Sequence, residues 1–402
     1  MKYAKKSTSL QKNLTMKTSL LCLALATLTS CYLIDPPLKL GRPRASCGVN
    51  EPQPTDALRP DTCFIISAVS FPASYDWQRD SAYGAVECTL LLYRNGKKEL
   101  EIPAGPKERI SASPDKHHII GGSLYTEYSD RRGTCIKRNG QTIASWEGPE
   151  RLLGLLCKDG VTYSLGLSGS GEAVTYRKDG QVVLKLAGAS VFGSFGSNGY
   201  GPAGALYEDE GAVCFAYKTT VPGGQTAVLV RNGRPETVMS SPGTDLLDVK
   251  SVHGEALVLY NESRQTRIAS GGKTYVPCRY VYWQEGELIE YNGNTAIVGS
   301  YRSGNGRIIE AIGWDGTVMG LGPDVSYIYC DGRSWHKVED APDGRTDCYF
   351  FHRHCACQLG NGLAYVLTPR DRTLHPFMQY GSDTVEFNLH GYLSGIAVEI
   401  AK

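Results

Sequence analysis

The chain has no stretch of about twenty apolar residues beyond its N-terminus, so it offers no candidate for a membrane-crossing helix. Beyond residue 30 there is almost no sustained helical period, which leaves strands and turns to build the body. An excess of positive charge is also lacking: 42 Lys and Arg face 41 Asp and Glu, a formal net charge of +1. Without a basic footprint, nucleic-acid binding is not expected. Neither the Cys-x2-Cys nor the His-x3-His spacing of common zinc sites occurs. Gly169-Ser170-Gly171 in "GLSGSG" (166–171) reads as a loop between strands. No helix follows to make it a hydrolase nucleophile elbow. The glycines of "FGSFGSNGYG" (192–201) likewise have no helix to present to a phosphate.

What is present begins at the N-terminus. Residues 16–31 read "MKTSLLCLALATLTSC": one lysine, a short apolar run over 19–28, then Leu28-Thr29-Ser30-Cys31. The run is too short to span a bilayer and fits a secretory signal. Its end resembles the lipobox of bacterial lipoproteins. That resemblance implies cleavage before Cys31, lipid on the Cys31 thiol, and residues 1–30 as the signal. Met16 opens a complete signal by itself, so translation is expected to start there and not at Met1. Residues 1–30 carry five lysines and no acid, which takes the net charge from +1 to −4 once they are removed. Residues 31–60 are rich in proline and lack periodic apolar residues, the composition of an extended tether. The expected address is the bacterial cell envelope, anchored by lipid to the outer membrane; periplasmic and surface faces both stay open.

Residues 61–402 carry the fold. Turn signals recur as "YRNGK" (93–97), "KRNGQ" (137–141), "RKDGQ" (177–181), "VRNGR" (230–234), "WQEGE" (283–287) and "YCDGR" (329–333). Asn-Gly and Asp-Gly favour the positive φ that tight hairpins need. The glycines are spaced by 44, 40, 53, 53 and 46 residues, near the period of a four-stranded propeller blade. The expected fold is all-β: a β-propeller-like repeat domain of seven blades, with six or eight as alternatives. The uneven insert "FGSFGSNGYGPAG" (192–204) is expected on a rim, between strands. The hairpin "YWQEGELIEYNGN" (282–294) is similar to those of propeller-like lipoproteins of the Bacteroides type. That resemblance implies a fold and an address, and no activity.

Candidate sites are few. "FFHRHCACQLG" (350–360) crowds His352, His354, Cys355 and Cys357, with Cys348 nearby. On a continuous strand, side chains alternate faces, so the two histidines point away from the two cysteines. A metal would need a bulge between His354 and Cys355. Thirteen cysteines, less Cys22 in the signal and Cys31 under lipid, leave an odd number in an exported chain. Disulfide formation or packing is therefore the favoured use of the cluster, and no cofactor is expected. Cys88, Cys135, Cys157 and Cys214 lie in apolar strands and read as small hydrophobes. The acids of "YEDEG" (207–211) and "QEGELIE" (284–290) are sequence neighbours, a poor source of the two facing carboxyls a glycosidase needs. Tyr280, Tyr282 and Trp283 are candidate ligand contacts, since Tyr and Trp combine an apolar body with a polar tip.

Together these features favour a membrane-anchored binding or structural module holding a glycan or protein partner. A carbohydrate-active or other hydrolytic enzyme on the same scaffold is the alternative.

Overall fold

A computed structural model describes residues 62–79, 86–192, 205–222, 224–242, 244–278, 281–291, 294–302, 308–314, 317–320, 326–330, 334–338, 348–349, 355–359 and 362–400. All the sheets are antiparallel, and most are simple meanders. In chain order the second sheet spans 117–146, the third 150–187, the fourth 189–242, the fifth 245–275 and the sixth 283–320. Among the described residues a two-stranded seventh sheet follows at 326–338, then an eighth at 348–386. The first sheet is assembled from strands far apart in the sequence. Thr62–Ser70, Cys88–Arg94 and Lys97–Ala104 supply three strands, and Gly391–Ile400 supplies the fourth, beside Thr62–Ser70.

The Asx-Gly signature makes hairpins and also joins sheets. Asn95, Asn139, Asp179 and Asn232 have φ of 48–49°, and the glycines that follow have φ of 75–82°. Positive φ at both central residues defines the type I′ turn. Each Asx side chain then reaches the second strand of its own sheet. Asn95, Asn139, Asp179 and Asn232 Oδ1 accept the N–H of Phe64, Leu124, Thr162 and Val213 at 2.8–2.9 Å. The backbone N–H of each Asx returns a bond to the carbonyl of that same residue. A Cβ on Gly96, Gly140, Gly180 or Gly233 would lie 2.9–3.4 Å from Val385, Ile102, Ala144 or Val183. Each of those four stands on the outermost strand of the preceding sheet. Val385 of the eighth sheet also packs in one apolar cluster with Phe64 and Ile66 of the first, so the joint runs across the seam between these two sheets.

A second joint repeats along the innermost strands. Each of four such strands carries a one-residue bulge, at Leu153, Leu247, Gln284 and Ser394. A bulge leaves a backbone group outside the ladder. In all four cases the residue just before it donates its N–H to a side-chain oxygen of the preceding sheet. Leu152 donates to Glu127, Leu246 to Gln225, Trp283 to Thr266 and Leu393 to Thr368, at 3.0–3.2 Å. Unpaired buried N–H groups are costly, so these oxygens fix how neighbouring sheets dock.

One expectation needs correction. Gly286 of "WQEGE" lies inside the strand Trp283–Tyr291; the corresponding turn of the fifth sheet is Gly271-Gly272. The insert after Phe192 lies between the short strands Ala189–Val191 and Tyr207–Asp209, which both pair with Ala212–Val221, and its residues 193–204 lie outside the described residues. Of "FFHRHCACQLG", residues 350–354 lie outside the described residues; on either side of them Tyr349 pairs with Thr368 and Ala356 with Tyr365.

Candidate functional site

The residues singled out in the sequence fall in different places. Cys31, Tyr280, His352 and His354 lie outside the described residues. Cys348 sits on a short strand opposite Pro369. Cys355 is buried and Cys357 half-buried, and both pack into the apolar cluster of Phe64, Ile66, Val366 and Met378 between the eighth sheet and the first. Trp283 is fully buried, with its ring edge-on to Tyr301 at 5.8 Å. Its neighbour Tyr282 is 43% exposed and meets solvent. Cys88, Cys135 and Cys214 are buried thiols and Cys157 is half-buried. Burial pushes the Cys88 thiol up to about 12 and Cys214 to about 11, so both stay protonated. Among the "YEDEG" acids, Asp209 accepts the Ser251 hydroxyl at 2.6 Å and the Gly254 N–H at 2.9 Å, and Glu208 pairs with Lys158 at 2.8 Å. These acids hold the fourth sheet to its neighbours.

A cleft of about 70 Å³ lies at the seam between the first and eighth sheets. Three loops wall it: 71–79 after the first strand, 369–376 of the eighth sheet, and 387–390 leading into the last strand. Within each meander these connections share one edge of the sheets, opposite the Asx-Gly turns. Trp77 is held in the core against Tyr392, 5.6 Å between ring centres, and so fixes the first loop. Phe71 N–H donates to the His390 carbonyl at 2.8 Å, tying that loop to the third. The His390 ring bonds the Tyr75 carbonyl at 2.9 Å.

Arg372 organises the mouth. Its Nε donates to Gln78 Oε1 at 2.8 Å and its Nη2 to Asp76 Oδ1 at 2.5 Å. That hydrogen bond and the guanidinium charge hold the Asp76 carboxyl below the usual carboxylate range. Asp371 is lowered as well, by the N–H and hydroxyl of Thr373. Leu374, Pro376 and Leu389 supply apolar wall. Both acids therefore stay ionised at neutral pH. They suit holding a donor better than moving a proton, which needs a pKa near the working pH. The sequence reading missed these residues. The signal was there in "PRDRTLHP" (369–376) and "PASYDWQRD" (72–80), charged loops bounded by proline or ending an apolar strand.

Successive antiparallel sheets, joined first to last, make the chain a β-propeller. No protein-family model matches it, and no curated protein matches it. Solved structures are similar to it at low sequence identity. The β-propeller domain of the trilobed protease from Pyrococcus furiosus is 10% identical, covering 75% of this chain and 86% of that one, with a TM-score of 0.40. A putative 6-phosphogluconolactonase from Bacteroides uniformis is 10% identical, over 85% and 100%, at 0.35. Dihydro-heme d1 dehydrogenase is 12% identical, over 86% and 77%, at 0.40.

Proposed function

We propose that this propeller is an exported, lipid-anchored binding module of the bacterial envelope, holding a glycan or protein partner at the seam cleft. Residues 16–31 support the address, with Cys31 as the lipidated residue and residues 31–60 as the tether. The observation that carries the binding role is the mouth of the cleft. There Arg372, Asp76 and Gln78, from two separate loops, form one network of donors and acceptors beside an apolar wall. A few fixed polar groups on an apolar surface are what orient a ligand. The two acids held ionised favour binding over proton transfer.

The test is capture of partners by the protein from residue 31 onward, on glycan arrays and in pull-downs, repeated with Arg372→Ala. Binding lost with Arg372→Ala supports the reading; no ligand of any class in repeated screens defeats it. The anchor is tested separately: labelled fatty acid should be incorporated by the natural chain and not by Cys31→Ala.

A further inference from the structure

We infer that Asn95, Asn139 and Asn232 are deamidation sites which the folded ring holds inactive. Each precedes glycine, and Asn-Gly is the pair most open to intramolecular attack because glycine offers no side chain to block it. In that reaction the glycine nitrogen loses its proton and bonds to the Asn Cγ. The carboxamide nitrogen leaves as ammonia, and a five-membered imide remains. One water then opens the imide, to aspartate through one carbonyl or to isoaspartate through the other. Water is the only co-reactant.

Ring closure demands a negative ψ at the asparagine, which swings the glycine nitrogen onto Cγ. The turns forbid it. Asn95, Asn139 and Asn232 have φ of 48–49° in type I′ turns, where ψ is about +30°. Two hydrogen bonds hold each one there. The side-chain oxygen accepts the N–H of Phe64, Leu124 or Val213, and the Asn N–H donates to the carbonyl of that same residue at 2.8 Å. On the other side of the turns stand Val385, Ile102 and Val183 of the preceding sheets, 3.4, 3.0 and 2.9 Å from where a Cβ on Gly96, Gly140 and Gly233 would lie. Neither the electrophile nor the nucleophile can rotate until the turn leaves its neighbours.

The fourth turn of the series shows which product the fold accepts. Asp179 stands where the others have asparagine, and its Oδ1 accepts the Thr162 N–H at 2.9 Å, the same bond. Aspartate formed by deamidation therefore fits. Isoaspartate adds a methylene to the backbone and cannot keep both bonds, so it blocks return to the ring. Modification at these three positions is thus a chemical record of opening.

The experiment is peptide mapping by mass spectrometry of the full chain, aged in mildly alkaline buffer either folded or in denaturant. A free peptide spanning residues 137–141 gives the unrestrained rate under both conditions. The three asparagines should convert at least about tenfold more slowly in the folded chain than in the denatured one, as expected for a reaction that waits on local opening. The peptide should react alike in both buffers. Equal folded and denatured rates at any one turn overturn the inference for that turn, and equal rates at all three overturn it altogether.

Discussion

Arg177 gives both arms of its guanidinium to Glu150, at 2.6 and 2.8 Å, while the face of the group lies 4.1 Å from the centre of the Trp146 indole ring. Arg177 and Glu150 belong to the third sheet and Trp146 to the outermost strand of the second. The pair is almost fully buried, with side chains 6% and 9% exposed. Gly166 leaves the room: a Cβ there would fall 2.3 Å from Glu150 Oε2.

Removing one member of this pair strands a buried charge. Arg177→Met or Glu150→Leu alone is expected to cost about 3–5 kcal/mol. The double substitution should cost less than the two singles added, because neither charge is then left alone. Denaturant unfolding of the four proteins measures this, and simple additivity would show that the pair is not coupled.

Where the bulge joints use threonine, the hydroxyl oxygen is the group that accepts the backbone N–H. Thr266 and Thr368 are buried at 0% and 1% exposure and accept the Trp283 and Leu393 N–H groups. Valine has nearly the same shape and no oxygen. Thr266→Val or Thr368→Val should each lose about 1–3 kcal/mol, with serine restoring much of it. Melting temperatures of the valine and serine variants would decide; valine as stable as threonine would remove the joint from the fold's support.

Asp248 predicts a pH dependence. It accepts the Val249 and Leu288 N–H groups and so joins the innermost strands of the fifth and sixth sheets. Burial, and then the Glu287 carboxylate, push its carboxyl from 3.8 up to about 7, against the opposing pull of Lys250. The folded state thus holds a proton that the unfolded state releases. The stabilisation is complete below the unfolded value and is lost as pH rises toward 7, by about 1.4 kcal/mol per pH unit in between. Above 7 this contribution is flat. Urea midpoints measured across that interval should fall more steeply for the natural protein than for Asp248→Asn. Matching slopes would mean that Asp248 does not titrate there.

Asn139 separates the two parts of the clasp. Asn139→Asp should leave the melting temperature nearly unchanged, because Asp179 already makes the same bond in the next sheet. Asn139→Ala loses the oxygen and must also hold a φ of 49°, at a cost of about 1–2 kcal/mol for the backbone alone. Equal stability of the alanine and aspartate variants would refute the clasp.

The Asx-Gly dipeptides made the fold legible, because one local need, positive φ, coincides with one long-range need, room for the preceding sheet. Gly286 misled for the same reason: the letters match, but the turn they mimic is filled by Gly271-Gly272 instead. The bulges at Leu153, Leu247, Gln284 and Ser394 had no sequence signature, since any residue can be the extra one on a strand. Of the cleft, the charged loops were visible as composition. That Asp76 meets Arg372 across 296 positions was not.

The pairing of Thr62–Ser70 with Gly391–Ile400 sets the order of events during synthesis. The first strand emerges early and pairs on one side with its hairpin neighbour. Its other edge, "CFIISAV", must wait until almost the whole chain has been made. An apolar edge with no partner is a template for wrong pairing, and contacts this distant in sequence form slowly. Newly made chains of this protein should therefore need shielding at residues 63–69 above all, and a chaperone that handles it is expected to hold that segment until the last strand arrives.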